Sequence, residues 1–595
     1  MPIENAYFAL VPFTVAALSG LTGWSTAHAF HFLAALAYSA APVFLFWFAY
    51  KLSGRLGASF AAALLWSLIS PSSVIPALYA DMGSVWGSRR LRNLVYYGEM
   101  PHVLALCLLP VALWLLLRYW EKPGARRFSV AALAFAGVML SNAFGIAAAV
   151  ITSLALVAVL DGPRVKMLVS LAGIGAGAYL VICRLLPPSL IALIRVRSQL
   201  VGGDFRLTAV GGLMAALFLL GMAALWWITR RIPNRILRFA ILMTACFSAI
   251  TVIGYTTTLT FIALPRRYML EMDLAVCLLL AFALTPRKMS RPVIAAGLLL
   301  AAFVAWKDDQ FSRRLIRPAD IAQSVPYRQA RWIAEHLPGE RVMVSGEYGF
   351  WFNLFADNPQ LSGGHEASAP NGMQIIAVYT IYSGQNLGEQ DGPISLMWLK
   401  AFGCGAITVP GPGSADLYHP IRNPRKFDGL LPLIWREGDD AIYRVPLRST
   451  SLAHVLPASA VVVRRPVHGG DVEPLRPYIA ALEDPALPPA KLQWDNPERG
   501  RISAPVAAGQ LLSLQITYDP GWRAAAGGRK LTIRRDALGM MTIDPQCTGN
   551  CTVDVEFTGG AERTVCSVVS AVATVLLALM ALFGLRVPRL RRVPN

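Results

Sequence analysis

Charge is scarce in this chain. Only 15% of its 595 residues are Asp, Glu, Lys or Arg, against roughly 25% in ordinary soluble domains, and 55% are hydrophobic. That balance excludes a protein lying wholly in water. Acids are scarcer than bases, 35 against 54, for a net charge of +19. Such an excess would suit nucleic acid, but the Lys and Arg residues punctuate apolar runs, which is how a polytopic membrane protein fixes its orientation. No nucleic-acid partner is therefore read. Cysteine is sparse too: five of eight, Cys107, Cys183, Cys246, Cys277 and Cys566, lie in apolar segments, where cysteine behaves as a small hydrophobe, so there is no disulfide framework. A phosphate loop, GxGxxG, a nucleophile elbow and HExxH are all missing, which removes support from ATP-driven transport and serine hydrolysis.

What the chain has in abundance is apolar runs of membrane-crossing length. They fall near 7–22, 30–50, 57–76, 101–120, 167–186, 207–229, 236–260, 268–285 and 564–585, with a shorter one near 292–306. The run 128–160 is longer than one span needs, and Ser141-Asn142 interrupts it, so two spans are predicted there. The total is about twelve helices. Charge supports the split: with it the loops on one side carry nineteen Lys and Arg and the opposite loops eight, whereas one span would level the sides to sixteen and eleven. The richer side is the cytoplasmic one.

The expected fold is a polytopic α-helical membrane protein with an extracytoplasmic α/β unit and a small β-sandwich. Its expected divisions are a helical domain 1–306, an α/β domain 307–450, a sandwich-like domain 451–563, and a last helix with a basic cytoplasmic tail, 564–595. RWIAEHL and SLMWLKAFG read as helices, and RVMVSG and AITVPG as strands. LLSLQITY, RKLTIRR, MMTID and CTVDVEF read as strands of the sandwich. In CTGNC, Cys547 and Cys551 are close enough to bridge in an oxidising compartment or to remain two thiols. Asn550 heads a glycosylation sequon.

Chemistry is sought where the charge rule is broken. Arg89, Arg90 and Arg92, then Arg195, Arg197 and Arg206, then Arg266 and Arg267, all fall in loops of the outer face, where short loops should be poor in arginine. Guanidinium pairs bind phosphate, so Arg89, Arg90, Arg92, Arg266 and Arg267 are candidate phosphate ligands; neutralising acids or lipid head groups is the plainer alternative. Asp81 and Glu99 share the first of these loops, and either could polarise a hydroxyl. His102, three residues after Glu99 in YYGEMPH, would share its helix face. Glu271 and Asp273 lie just inside the helix after Arg266-Arg267 and read as arginine partners. His28, His31 and His102 with Glu99 lack a metal-ligand spacing. Tyr348, Phe350, Trp351 and Phe352 could stack on sugars or fill a core.

The stretch YDPGWRAAAGGRKLTIRRDALGMMTID with the final span, 518–585, resembles the C-terminus of bacterial YfhO-like membrane proteins. GEMPH, SNAFG at 141–145 and PRRYMLEMDLA at 265–275 resemble the bacterial membrane proteins labelled "6-pyruvoyl-tetrahydropterin synthase-related", a label that brings no pterin chemistry. Both groups are similar in plan to glycosyltransferases of the GT-C class. That resemblance implies a multi-pass protein of the bacterial inner membrane, moving sugar from a polyprenyl-phosphate donor to a glycan or lipid acceptor on the outer face, and it leaves room for a divalent metal. It also implies an acid in the first external loop, where this chain has GWSTAHAFH with none. Either such an acid lies upstream of PIENAYFAL, or the chain is not a transferase. The rival reading is a non-catalytic protein of cell-envelope glycan assembly or binding.

Overall fold

The structure is a computed structural model that describes residues 9–197, 209–256, 262, 264–285, 290–317, 320–363 and 369–584. These fall into two compact units: a helical one from the residues up to 317 and from 565 onward, and a mixed one over 320–564. The helical unit opens with α1 (Leu10–Thr22), α2 (Thr26–Ser53), α3 (Leu56–Leu68), and the short α4 (Pro76–Met82) and α5 (Arg89–Val95). It continues through α6 (Met100–Glu121), α7 (Ala125–Ser141), α8 (Ala143–Val159), α9 (Arg164–Ile182) and α10 (Pro188–Val196) to α11 (Ala209–Thr229), α12 (Arg235–Thr256), α13 (Met269–Leu284) and α14 (Arg291–Leu315).

The run 128–160 is two helices. Asn142 stands between them in an extended conformation, and its side chain accepts from the Phe144 amide to cap α8. The chain reverses there. Phe128, near the start of α7, packs on Tyr119 toward the end of α6, whereas Phe144, at the start of α8, packs on His102 at the beginning of α6. Gly145 permits the close approach: a Cβ on it would sit 2.6 Å from that of Ala105.

At the end of the unit holding the C-terminus of α6, Lys51 pairs with Glu121 at 2.9 Å, and Arg238 donates to the Val159 carbonyl at 2.8 Å. Arg118 and Arg164 lie over the rings of Trp114 and Trp226, the pairing of cation and aromatic that suits a membrane interface.

The mixed unit contains α15 (Val325–His336), β1 (Val342–Met343), α16 (Gly372–Ser383), α17 (Asp391–Ala401), β2 (Ala406–Pro410), β3 (Leu433–Glu437), β4 (Asp440–Arg444) and β5 (Ala453–Pro457). After α18 (Arg476–Glu483) come β6 (Lys491–Asn496), β7 (Arg499–Val506), β8 (Gln510–Thr517), β9 (Trp522–Ala526), β10 (Arg529–Leu531), β11 (Ile533–Arg535), β12 (Met540–Ile543) and β13 (Gly549–Phe557). One sheet, β1-β2-β4-β3, has a parallel β1–β2 pair and antiparallel remaining pairs. The other two, β10-β9-β13-β7-β6 and β11-β12-β8-β5, are antiparallel and share a core of alternating residues such as Ile502, Leu514, Ile543 and Val553, which makes them a sandwich. RKLTIRR, read as one strand, is two: the chain leaves one sheet after Leu531 and joins the other at Ile533. Another core joins Met343 and Ile407 to Leu456, Tyr478 and Met540, so packing runs continuously past residue 450. Cys547 and Cys551 form a disulfide. The final helix, α19 (Gly560–Phe583), returns to the helical unit, where Ser570 Oγ accepts from the Arg184 amide at 2.9 Å.

The chain is a polytopic helical membrane protein, but the expected twelve spans are not matched. Among the described residues six helices, α2, α6, α9, α11, α12 and α19, have at least 18 residues and the apolarity to cross a bilayer; α1, α3 and α8 are apolar and shorter. Length and charge account for the difference among the described residues. α1 and α3 have 13 residues each and the split leaves α7 and α8 with 17, α13 has 16 and carries Glu271 and Asp273, and α14 ends in the charged KDDQFSRRL.

Candidate functional site

The segment from Ser70 to His102 folds around Arg89. A 3₁₀ turn, Pro71–Val74, and α4 precede it, and Pro71 and Pro76 each open a helix where the missing amide is harmless. Arg89 is fully buried, and its guanidinium is fully engaged. Nε donates to Ser72 Oγ at 2.8 Å, Nη1 to Asp81 at 2.6 Å and Nη2 to the Leu78 carbonyl at 2.8 Å. Asp273, from α13, takes the Ser72 amide at 2.6 Å and the Ser72 hydroxyl at 2.9 Å, and lies 3.9 Å from Arg89 Nε. Asp81 also accepts from the Tyr97 hydroxyl; burial, then this bond, pushes that phenol up to about 12. The sequence expectation that Asp273 meets an arginine is met, with Ser72 as the unanticipated intermediary.

A second pair closes the same end. Glu99 stands at the N-terminus of α6, and its carboxylate pairs with Arg267 on the 3₁₀ turn Pro265–Tyr268. The Glu99 side chain is 12% exposed and that of Arg267 48%, so this pair meets the surroundings. Directly behind it, His102 Nε2 and Glu271 Oε1 share a hydrogen bond of 2.9 Å between groups 0% and 1% exposed. His102 Nδ1 and Glu271 Oε2 have no partner among the described residues. Phe144 lies against His102 and edge-on to Tyr268, with Arg267 above it.

The remaining arginines part company. Arg90 is buried between Tyr38 and Trp66, 4.4 and 4.2 Å from their rings, and bonds the Tyr38 carbonyl. Arg92 lies over Tyr96, and Arg266 over Tyr255 with its Nε on the Gly254 carbonyl at 3.0 Å. Of the five candidate phosphate ligands, only Arg266 and Arg267 are exposed. Arg89 and Arg90, being enclosed by protein partners, organise the loop instead. Tyr38, Trp66 and Ser72 carried no recognisable motif; Tyr97 lies in YYGEMPH and Phe144 in SNAFG, both already singled out. Arg206 and the tail 586–595 are outside the described residues.

Metal-ligand chemistry finds no cradle here. Asp81 and Asp273 both face Arg89, Glu99 faces Arg267, and among the described residues no three His, Cys, Asp or Glu side chains form a metal-binding group. In the mixed unit Tyr348 and Phe352 fill the core around Val342 and Val344, Trp351 packs at its edge, and Phe350 is exposed. Of the two uses the sequence allows these aromatics, filling a core is the one that Tyr348 and Phe352 take. His365 and Glu366, in GGHE, are outside the described residues.

No family model matches the chain, and no curated protein matches it. Among solved structures it is similar to the cryo-EM structure of the arabinofuranosyltransferase AftD from mycobacteria, with a TM-score of 0.45 and 14% identity over 94% of this chain and 53% of that one. A point mutant of AftD gives a TM-score of 0.42, again with 14% identity, over 91% and 54%. The chain thus spans about half the length of these structures.

Proposed function

We propose that this protein is a GT-C-like glycosyltransferase that moves a sugar from a polyprenyl-phosphate donor to an acceptor hydroxyl on the extracytoplasmic face of a bacterial inner membrane. The observation that carries the reading is the Glu99–Arg267 pair: a carboxylate and a guanidinium, from elements far apart in sequence, that meet at the exposed edge of a polar cluster whose acids on α13, Glu271 and Asp273, are buried. A donor phosphate arriving at Arg266 and Arg267 would draw Arg267 from Glu99 and free the carboxylate as a base. The acceptor oxygen then forms its bond to the anomeric carbon as the bond from that carbon to the phosphate oxygen breaks. Glu99 takes the hydroxyl proton, and polyprenyl phosphate leaves with the electron pair. Asp81 holds Arg89, and His102 backs Glu99, so both act through position. Outward placement of the mixed unit is supported by its disulfide.

Membranes bearing Glu99→Gln should transfer radiolabelled sugar from a polyprenyl-phosphate donor at least about 100-fold more slowly, with expression unchanged; full activity would remove Glu99 from the reaction. A second reading, a non-catalytic protein of glycan assembly or binding, is favoured by the matching of Asp81, Asp273, Glu99 and Glu271 to a cation or histidine. It requires that no transfer be detectable in the wild type with any donor tried. Sidedness is testable because all six free cysteines among the described residues are buried. Lys491→Cys, at an exposed position, should react with an impermeant maleimide from outside the cell; reaction from the cytoplasm alone would invert the topology.

A further inference from the structure

In GEYGFWFNLF, Phe352 enters the core of the mixed unit, but Asn353 and Leu354 after it turn outward, and Leu354 is 72% exposed. With the four residues that follow they wall one side of a cavity of about 370 Å³; the second half of α15 and the Pro338-Gly339 turn wall the other. Two asparagines hold its shape. Asn353 Nδ2 donates to the Ala356 and Asn358 carbonyls, both at 2.9 Å, and its Oδ1 accepts from Gln360 at 2.8 Å. Asn358 Nδ2 donates to the Leu337 and Glu340 carbonyls, which fastens the loop to the end of α15. Gly339 turns the chain there at a φ of +72°, and a Cβ on it would meet nothing within 4 Å, so the turn leaves the cavity open.

The polar groups of the wall are within reach of solvent. Asp357 is exposed and makes no ion pair among the described residues. Arg331 gives Nη2 to Glu335 at 3.0 Å in an exposed pair along α15 and keeps Nε and Nη1 for another partner. Asn358 is the informative residue: it is 2% exposed, yet its Oδ1 takes no donor among the described residues and is not sealed from solvent. An amide oxygen open to a polar cavity calls for a donor. Leu354 and Phe355 supply the apolar part of the wall. Phe355 is held in place by Tyr327 and Trp351, whose rings meet it edge-on at 4.9 and 5.6 Å.

We infer that this cavity binds one neutral sugar unit of a glycan. Its hydroxyls donate to Asp357 and to Asn358 Oδ1 and accept from Arg331, and its C–H face lies against Leu354 and Phe355. Charge sets the class: an anion would face Asp357, a cation would face Arg331, and Glu335 already takes part of the guanidinium. A ring with hydroxyls at its edge and C–H bonds on its face uses the donor, the acceptors and the apolar wall together. The volume lies within the roughly 300–1,000 Å³ of small-molecule sites. Occupancy of this cavity does not require transfer at Glu99.

Saturation-transfer NMR on the full chain, in a detergent without a sugar head group, tests this. The probes are the methyl glycosides of glucose, galactose, mannose and arabinose, with glucuronate and glucosamine as charged controls. At least one methyl glycoside should show transfer that falls at least about fivefold in Asp357→Ala and in Arg331→Ala, both at exposed positions, and that is lost in Ala334→Trp, which fills the cavity. No transfer to any methyl glycoside in the wild type, or transfer unchanged in Asp357→Ala or Arg331→Ala, overturns the site. Stronger transfer to glucuronate or glucosamine than to every methyl glycoside overturns the neutral class. Glu99→Gln should bind the same glycoside as the wild type does; binding lost there instead would assign the signal to the proposed transfer site and overturn this one.

Discussion

His102 and Glu271 form a buried pair 2.9 Å apart, and each keeps one buried polar atom without a partner among the described residues. The pair joins α6 to α13 across 169 positions of sequence. Removing one member strands the other. Glu271→Leu should therefore lower stability by about 3–5 kcal/mol, whereas a His102→Leu/Glu271→Leu double variant should cost less than the sum of the single ones. Thermal melts of the detergent-solubilised protein measure both, and additivity would show that the pair is not coupled.

Arg89 is engaged in several directions at once, so its replacement is expected to be severe. Arg89→Lys keeps the charge but loses the fork that serves Ser72, Asp81 and Leu78 together. We expect a loss of at least about 3 kcal/mol, read as a lowered melting temperature and as faster proteolysis in the 70–100 loop. A protein as stable as the wild type would mean that Arg89 is not the centre of that loop.

The crossing of α6 and α8 depends on the missing side chain at Gly145. Gly145→Leu should destabilise by roughly 1–3 kcal/mol through overpacking against Ala105 and Val138. Ala105→Gly in the same chain should recover part of this. Failure of that recovery would place the strain elsewhere.

In the mixed unit, burial holds the His454 imidazole down to about 4 from its ordinary 6.5. The folded state thus resists a proton that the unfolded chain accepts. Its contribution is complete above pH 6.5 and is lost as the pH falls from 6.5 to 4, by about 1.4 kcal/mol for each pH unit in that window. Asp536, raised to about 6 from 3.8, works the other way over 3.8–6, being more easily protonated when folded. Hydrogen exchange of β5 amides, compared in an Asp536→Asn background, should show the acid loss with His454 and a flatter profile with His454→Gln. Equal slopes would exclude His454 as the source.

Much of this architecture was legible in local pattern. The break at Ser141-Asn142 was visible because a capping residue interrupts an apolar run, and β13 was visible as CTVDVEF because apolar and polar residues alternate along it, whereas β7, whose burial alternates as regularly, was not read as a strand. What could not be read was long-range. Nothing near Ser72 announces that Asp273 will meet it 201 positions away, and an arginine in a polar loop looks the same whether it ends exposed, as Arg267 does, or enclosed, as Arg89 does. The span count failed for a related reason: hydropathy records apolar length, and α13 interrupts its own with two acids that only tertiary partners make tolerable.

The hairpin at Asn142 has a bearing on the lipid as well as on the protein. Helices of 17 residues reach about 25 Å, while the hydrocarbon layer is about 30 Å thick, and α8 turns Val150 and Leu154 outward. The bilayer around α7 and α8 must therefore dimple or the helix ends must lie below its surface. A dimple would fall beside Phe144 and Arg267 and bring the head-group region closer to Glu99. Membrane thickness would then be a control on the proposed transfer at Glu99, to be read by reconstitution in short-chain and long-chain lipids.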